Sequence, residues 1–132
     1  MKGLDSNVLL RYLVEDDAVQ TRRAAKIIED AARRKEPLFV SLPVLCEIAW
    51  VLDRSYRQSR PAIASALEAI LDTEAFIVEQ ADCARESLHE FQTSKAGFSD
   101  HVIGAVARNA GCSWVYTFDR GLDGANGFKI VT

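Results

Sequence analysis

Residues 1–10 read MKGLDSNVLL, and the fold turns on how that opening is parsed. Residues 2–5 read as a short strand, and the apolar VLLRYLV that follows Asn7 reads as a helix over about 6–14. A carboxylate, Asp5, therefore stands where strand gives way to helix. One reading is local: Asp, Ser and Asn side chains accept bonds from the free N–H groups of a first helical turn. The other is that Asp5 belongs to a site, because in open α/β sheets ligands bind beyond the carboxyl ends of the strands.

The rest of the chain repeats the alternation. DAVQTRRAAKIIEDAARR (17–34) predicts a long helix with Val19, Ile27, Ile28 and Ala31 on one side. Lys35, Glu36 and Pro37 break it. LFVSL (38–42) predicts a strand, PVLCEIAWVLDRSY (43–56) a helix with proline at its start, and RPAIASALEAILD (60–72) another helix. AFIVE (75–79) predicts a strand and DCARESLHEFQTS (82–94) a helix. After the loop KAGFSD (95–100), SDHVIGAVARNAGC (99–112) reads as a helix ending near Gly111. SWVYTFD (113–119) and FKIVT (128–132) are predicted strands around the turn-rich RGLDGANG (120–127). Strands separated by helices imply parallel pairing with right-handed crossovers. The expected class is α/β, a three-layer sandwich with a central parallel sheet flanked by helices.

The bulk numbers fit one soluble domain spanning residues 1–132: 48% hydrophobic and 27% charged residues, with a net charge of −3. No apolar run approaches a membrane span, and the N-terminus offers one lysine and then an acid, unlike a secretory signal. A cytoplasmic location is expected. Cys46, Cys83 and Cys112 are too far apart for a C-x-x-C pair and are expected to be small buried hydrophobes. The acidic balance is unlike a general nucleic-acid binder, so a polyanion would need a local basic patch or a bound cation.

Four acids fall at chemically suggestive places. Asp5 and Asp119 end predicted strands, hence at one edge of the sheet. Asp100 opens a predicted helix, where an acid also suits the helix dipole. Gly104 and Ile103 follow it, so that face is expected to pack closely against something. Glu47 lies mid-helix with Val44 and Val51 at i−3 and i+4 and with Trp50 nearby. It either meets positive charge on an apolar stripe or reaches water at the stripe's edge. Convergent carboxylates repel unless a divalent cation neutralises them, and Mg²⁺ and Mn²⁺ favour such oxygen donors and suit displacement at phosphorus. Asn7, Ser41 and Thr117 lie near the same strand ends and either support the carboxylates or act as turn and cap residues.

GLDSNVLLRYL, VSLPVLCEIAWVL, FSDHVIGAVARNAGC and VYTFDRGL together resemble, in order and over almost the whole chain, the PIN-domain nucleases and within them VapC-like toxins of toxin–antitoxin pairs. The resemblance implies that Asp5, Glu47, Asp100 and Asp119 are the acidic metal-binding and catalytic positions, with Asp5 and Asp100 the main ligands. It implies Asn7 and Thr117 as supporting polar positions and Asp123 as a further, less constant acid, although RGLDG is also a plausible turn. It further implies Mg²⁺- or Mn²⁺-dependent cleavage of RNA to 5′-phosphate and 3′-hydroxyl ends, a homodimer, and a small VapB-like antitoxin that blocks the site.

Arg11 and Arg120 stand near acidic positions and are the candidate substrate contacts, with a salt bridge as the competing role. Trp50 and Trp114 are expected in the core, with stacking on a base as the alternative. His101 reads as a surface or packing histidine, with contact to substrate as the alternative, and His89 has no evident partner. Two other classes compete. A Mg²⁺-dependent aspartyl-phosphate phosphatase would want a second Asp where Asn7 stands, and a Mg²⁺-binding receiver module would want a phosphoacceptor Asp where AFIVEQ offers Glu79, and a lysine where Lys129 instead lies inside a strand. The lack of a G-x-S-x-G elbow counts against a serine hydrolase, as does the closeness in sequence of Ser99, Asp100 and His101, which cannot assemble a triad.

Overall fold

The structure, a computed structural model, describes residues 1–132. The chain forms two compact units, Met1–Ala81 and Asp82–Thr132.

The first unit runs β1 (Lys2–Gly3), α1 (Ser6–Val14), α2 (Ala18–Arg34), β2 (Leu38–Val40), α3 (Leu42–Arg54), α4 (Arg60–Asp72) and β3 (Phe76–Val78). Its three strands lie in the order β1-β2-β3 and all pair in parallel, Lys2 against Leu38 and Leu38 against Phe76. Parallel pairing follows from the sequence, since each pair of strands is joined by helices. Leu9, Val40, Leu45, Ile48, Leu52, Leu67 and Ile70 are all but fully buried, with strand and helices each contributing their apolar side.

Local chemistry sets the boundaries. Ser41 accepts a bond from Val44 N–H and caps α3, and the Glu79 carboxylate takes the free Leu42 N–H. The predicted strand 38–42 is therefore cut at Val40. Glu15 and Lys35 end α1 and α2 in the left-handed region, at φ of 59° and 56°. The buried side of α2 is Ala24, Ile28 and Ala31, while Val19 and Ile27 are exposed. The buried stripe of α2 is therefore narrower than the side on which the sequence places Val19, Ile27, Ile28 and Ala31.

At the α1–α2 corner, Arg11 Nη1 donates to Asp16 Oδ1 (3.0 Å) and to the Tyr56 hydroxyl, which in turn donates to Asp16 Oδ2 (2.8 Å). The Tyr56 hydroxyl, and after it the Arg11 charge, hold the Asp16 carboxyl below its ordinary pKa. A depressed folded-state value means stability that is fully present above about pH 4 and lost as the pH falls below it. The difference between urea midpoints at pH 7 and pH 3 is expected to be smaller in Asp16→Asn than in the unaltered chain.

The second unit carries most of α5 (Ala81–Thr93), then α6 (Phe98–Asn109), β4 (Val115–Thr117), a 3₁₀ turn at Arg120–Leu122 and β5 (Phe128–Ile130). β4 and β5 pair in parallel, Val115 against Phe128. Phe91 of α5 meets Phe98 of α6 edge to face with ring centroids 6.3 Å apart. Gly104 sits where α6 closely approaches the segment leading into β5: a Cβ there would lie 3.1 Å from the Phe128 ring and 3.3 Å from Asn126 O, so those neighbours would have to give by a few tenths of an ångström. That is the close packing its position in the sequence predicted, whereas Ile103, read on the same face, is 52% exposed.

Three core expectations are corrected. Trp50 is 58% exposed with the Arg54 guanidinium over its ring, and Trp114 is 44% exposed beside Tyr116 with Lys129 Nζ 4.3 Å from its ring centre. Both exposed rings thus carry a cation over their faces, a contact worth about 0.5–1 kcal/mol at the surface. Of the cysteines only Cys83 is buried; Cys46 is half-buried and Cys112 exposed. No helix is long and apolar enough to cross a membrane.

Candidate active-site carboxylates

Asp5 and Glu47 belong to the first unit, Asp100 and Asp119 to the second. Asp5 lies two residues beyond the end of β1 and is the N-cap of α1, its Oδ1 accepting from Ser6 N–H at 2.8 Å. Glu47 projects from the middle of α3 and is exposed, so it reaches water at the edge of the apolar stripe. A buried residue that the sequence reading passed over joins the two. Ser6 is only 6% exposed, and its hydroxyl donates to Glu47 Oε2 at 2.7 Å while its amide donates to Asp5. A serine one position after a strand-end acid reads as a second cap residue, which hides this role.

In the second unit Asp119 repeats the Asp5 arrangement. It lies two residues beyond the end of β4 and caps the 3₁₀ turn, its Oδ1 accepting from Gly121 N–H at 2.9 Å. Thr117 Oγ1 accepts from Asp119 N–H at 3.0 Å, a local turn bond to the acid's backbone. Asp100 occupies the third residue of α6, half-buried, with Oδ2 reached by Gly97 N–H at 3.3 Å.

The four acids share one property. Each commits a single carboxylate oxygen to a protein hydrogen bond, and none forms an ion pair. The contrast lies within the same chain, where Asp16, Asp30, Glu86 and Glu90 are all paired with cations. A carboxylate oxygen with no donor is a free hard ligand, the chemistry a divalent cation selects. Neither unit by itself gathers three acidic, histidine or cysteine side chains into a metal-sized cluster.

The remaining candidates divide. Ser41 serves as the α3 cap. Asn7 is exposed and bonds to none of the acids; with Val8, Arg11, Gln20 and Arg23 it lines a groove of about 170 Å³ between α1 and α2. Asp123 closes the 3₁₀ turn through its N–H to Arg120 O, the plain turn reading. Arg11 is engaged by Asp16 and Tyr56, the salt-bridge role. Arg120 is exposed and makes no ion pair, so it keeps its charge available. A cavity of about 350 Å³ near Met1, Lys2, Arg34 and Pro37 contains none of the four acids.

Strand-end acids, parallel strands between helices and carboxylates free of cationic partners describe a member of the PIN domain family, and the chain belongs to it: the family model matches residues 3–127. The match runs through both compact units. Along 132 aligned residues the chain is 32% identical to a VapC ribonuclease of Aquifex aeolicus (strain VF5), covering 99% of this chain and 96% of that relative. No solved structure gives a match.

Ser6→Ala is expected to cost about 1 kcal/mol, the net worth of a hydrogen bond to a carboxylate that water can partly replace. Urea unfolding checks this, since the mutation removes the bond to Glu47 and leaves the Asp5 cap intact.

Proposed function

We propose that the chain is a metal-dependent endoribonuclease, the toxin of a VapBC-type pair, acting as a single PIN-like domain. The observation that carries this reading is the set of four acids, Asp5, Glu47, Asp100 and Asp119, each with an oxygen left over and no cation beside it. Family membership and the VapC ribonuclease relative support it. Asp5 and Asp100 are the main ligands for Mg²⁺ or Mn²⁺, with Asp119 and Glu47 completing the set. When bound, the divalent cation neutralises the carboxylates and stabilises negative charge on a phosphodiester under attack by water.

The chain's own groups do the rest. Ser6 holds Glu47 toward the Asp5 end of α1, and Thr117 fixes the Asp119 backbone. The supporting positions are Asn7 and Thr117, with Asp123 a weaker acidic one and Ser41 confined to capping. Arg120 is the better candidate for a phosphate contact, since Arg11 is already neutralised by Asp16. The protein acts in the cytoplasm as a homodimer whose site is blocked by a VapB-like antitoxin.

The deciding experiment is sequencing of RNA ends after brief expression, with Asp100→Asn as control. New 5′-phosphate ends at defined sites, absent from the control, are expected; identical ends in both would refute the assignment. In vitro, EDTA is expected to reduce cleavage to background and excess Mg²⁺ or Mn²⁺ to restore it. Cleavage indifferent to EDTA would remove the metal from the mechanism.

A further inference from the structure

We propose that His101, clamped by Glu90 and Ser94, is a positioning residue that sets the direction of Asp100. This rests on the reading of Asp100 as a metal ligand.

His101 is 2% exposed, and both ring nitrogens are engaged. Nδ1 lies 3.0 Å from Glu90 Oε2, and Nε2 lies 2.7 Å from Ser94 Oγ. A carboxylate only accepts, so Nδ1 carries a proton directed at Glu90. An apolar residue would fill this space without a polar network to satisfy, and a fully bonded buried network selects one geometry. The two partners stand at the end of α5 and just beyond it, so the histidine pins the first turn of α6 to the last turn of α5.

Asp100 needs such a clamp. Its own tether is one bond of 3.3 Å from Gly97 N–H. His101 is its neighbour on the helix, about 100° further round. At a side-chain radius of 5–6 Å, a rotation of α6 by about 10° displaces a carboxylate by about 1 Å. A displacement of that size can cost about a hundredfold in rate.

Glu90 extends the grip. Its Oε1 accepts from Arg108 Nη2 at 3.3 Å and from Asn126 Nδ2 at 2.9 Å, and Arg108 Nη1 donates to Asn126 O at 3.1 Å. Gly127 leaves room for this arginine: at φ +86°, its Cβ would stand 2.6 Å from Nη1. Asn126 leads into β5, the partner of β4, and β4 leads to Asp119. One carboxylate thus ties the helix of Asp100, at both its ends, to the sheet that presents Asp119.

The test compares His101→Leu, His101→Asn, Ser94→Ala and Asp100→Asn in the full chain. Readouts are RNA cleavage against Mn²⁺ concentration, amide exchange at residues 98–100, and broadening of their amide resonances by Mn²⁺. His101→Leu is expected to lower kcat by about 10- to 100-fold, with KM within about twofold. It should also raise the Mn²⁺ needed for half-maximal rate and speed exchange at those amides. His101→Asn keeps a donor near the Nδ1 position and is expected to recover most of kcat. Ser94→Ala, at an exposed position, should fall between. Unchanged kcat and Mn²⁺ requirement in His101→Leu overturns the proposal. So does a Ser94→Ala chain with unaltered kinetics, should the leucine variant not fold. Full activity and undiminished Mn²⁺ broadening in Asp100→Asn overturns instead the ligand reading beneath it, while the exchange rates still report whether the clamp exists.

Discussion

Asp100→Asn is expected to abolish RNA cleavage, by at least about a hundredfold, while the chain stays folded. Losing an outer-shell partner of a metal costs about 10- to 100-fold, and losing a ligand should cost no less. The change preserves shape: the amide oxygen can still accept from Gly97 N–H, as Oδ2 does now. What disappears is the negative charge on the oxygen that no protein donor occupies. Stability should fall only by the helix-dipole contribution of a first-turn acid, about 0.3–1 kcal/mol. Initial rates on RNA with saturating Mn²⁺, beside urea unfolding of the same preparation, separate the two effects. Asp5→Asn is expected to behave alike, because Asn is as good an N-cap as Asp. Near-normal rates in both variants would return these acids to capping alone.

Leu67→Ala is expected to cost about 2–5 kcal/mol, a large share of the roughly 5–15 kcal/mol that holds a domain folded. Leu67 lies in α4, has no exposed surface and is remote in sequence from every candidate acid. Truncation removes its transfer free energy and leaves a cavity that the surrounding side chains, among them Ile63 and Ile70, cannot fill without shifting. The urea midpoint should drop at unchanged m. Ile77→Ala, at a 46% exposed position in β3, is expected to cost only about 1 kcal/mol, from partial burial and strand propensity. Equal losses at the two positions would show that the core does not lie where the helices bury their leucines.

The element order was readable because it rests on local chemistry. Pro37 stops α2, Pro43 and Pro61 start α3 and α4, and apolar periodicity marks each helix. Strand lengths were overread: LFVSL is a strand only at its first three residues, since Ser41 is spent on capping α3. The aromatic residues misled for a related reason. Apolar character predicted burial for Trp50 and Trp114, whereas both rings lie at the surface beside Arg54 and Lys129, and such pairings are not written in a periodic pattern.

The order of the elements, the parallel α/β class and the family were set by the sequence alone, because strand ends, helix caps and turn residues act over a few neighbours. Tertiary structure decided what each acid is bonded to. That Ser6 reaches Glu47 across 41 positions, and that His101 meets Glu90 and Ser94 rather than solvent, depends on which helix faces meet. Such contacts follow from packing many apolar side chains at once, and no single stretch of residues contains that information.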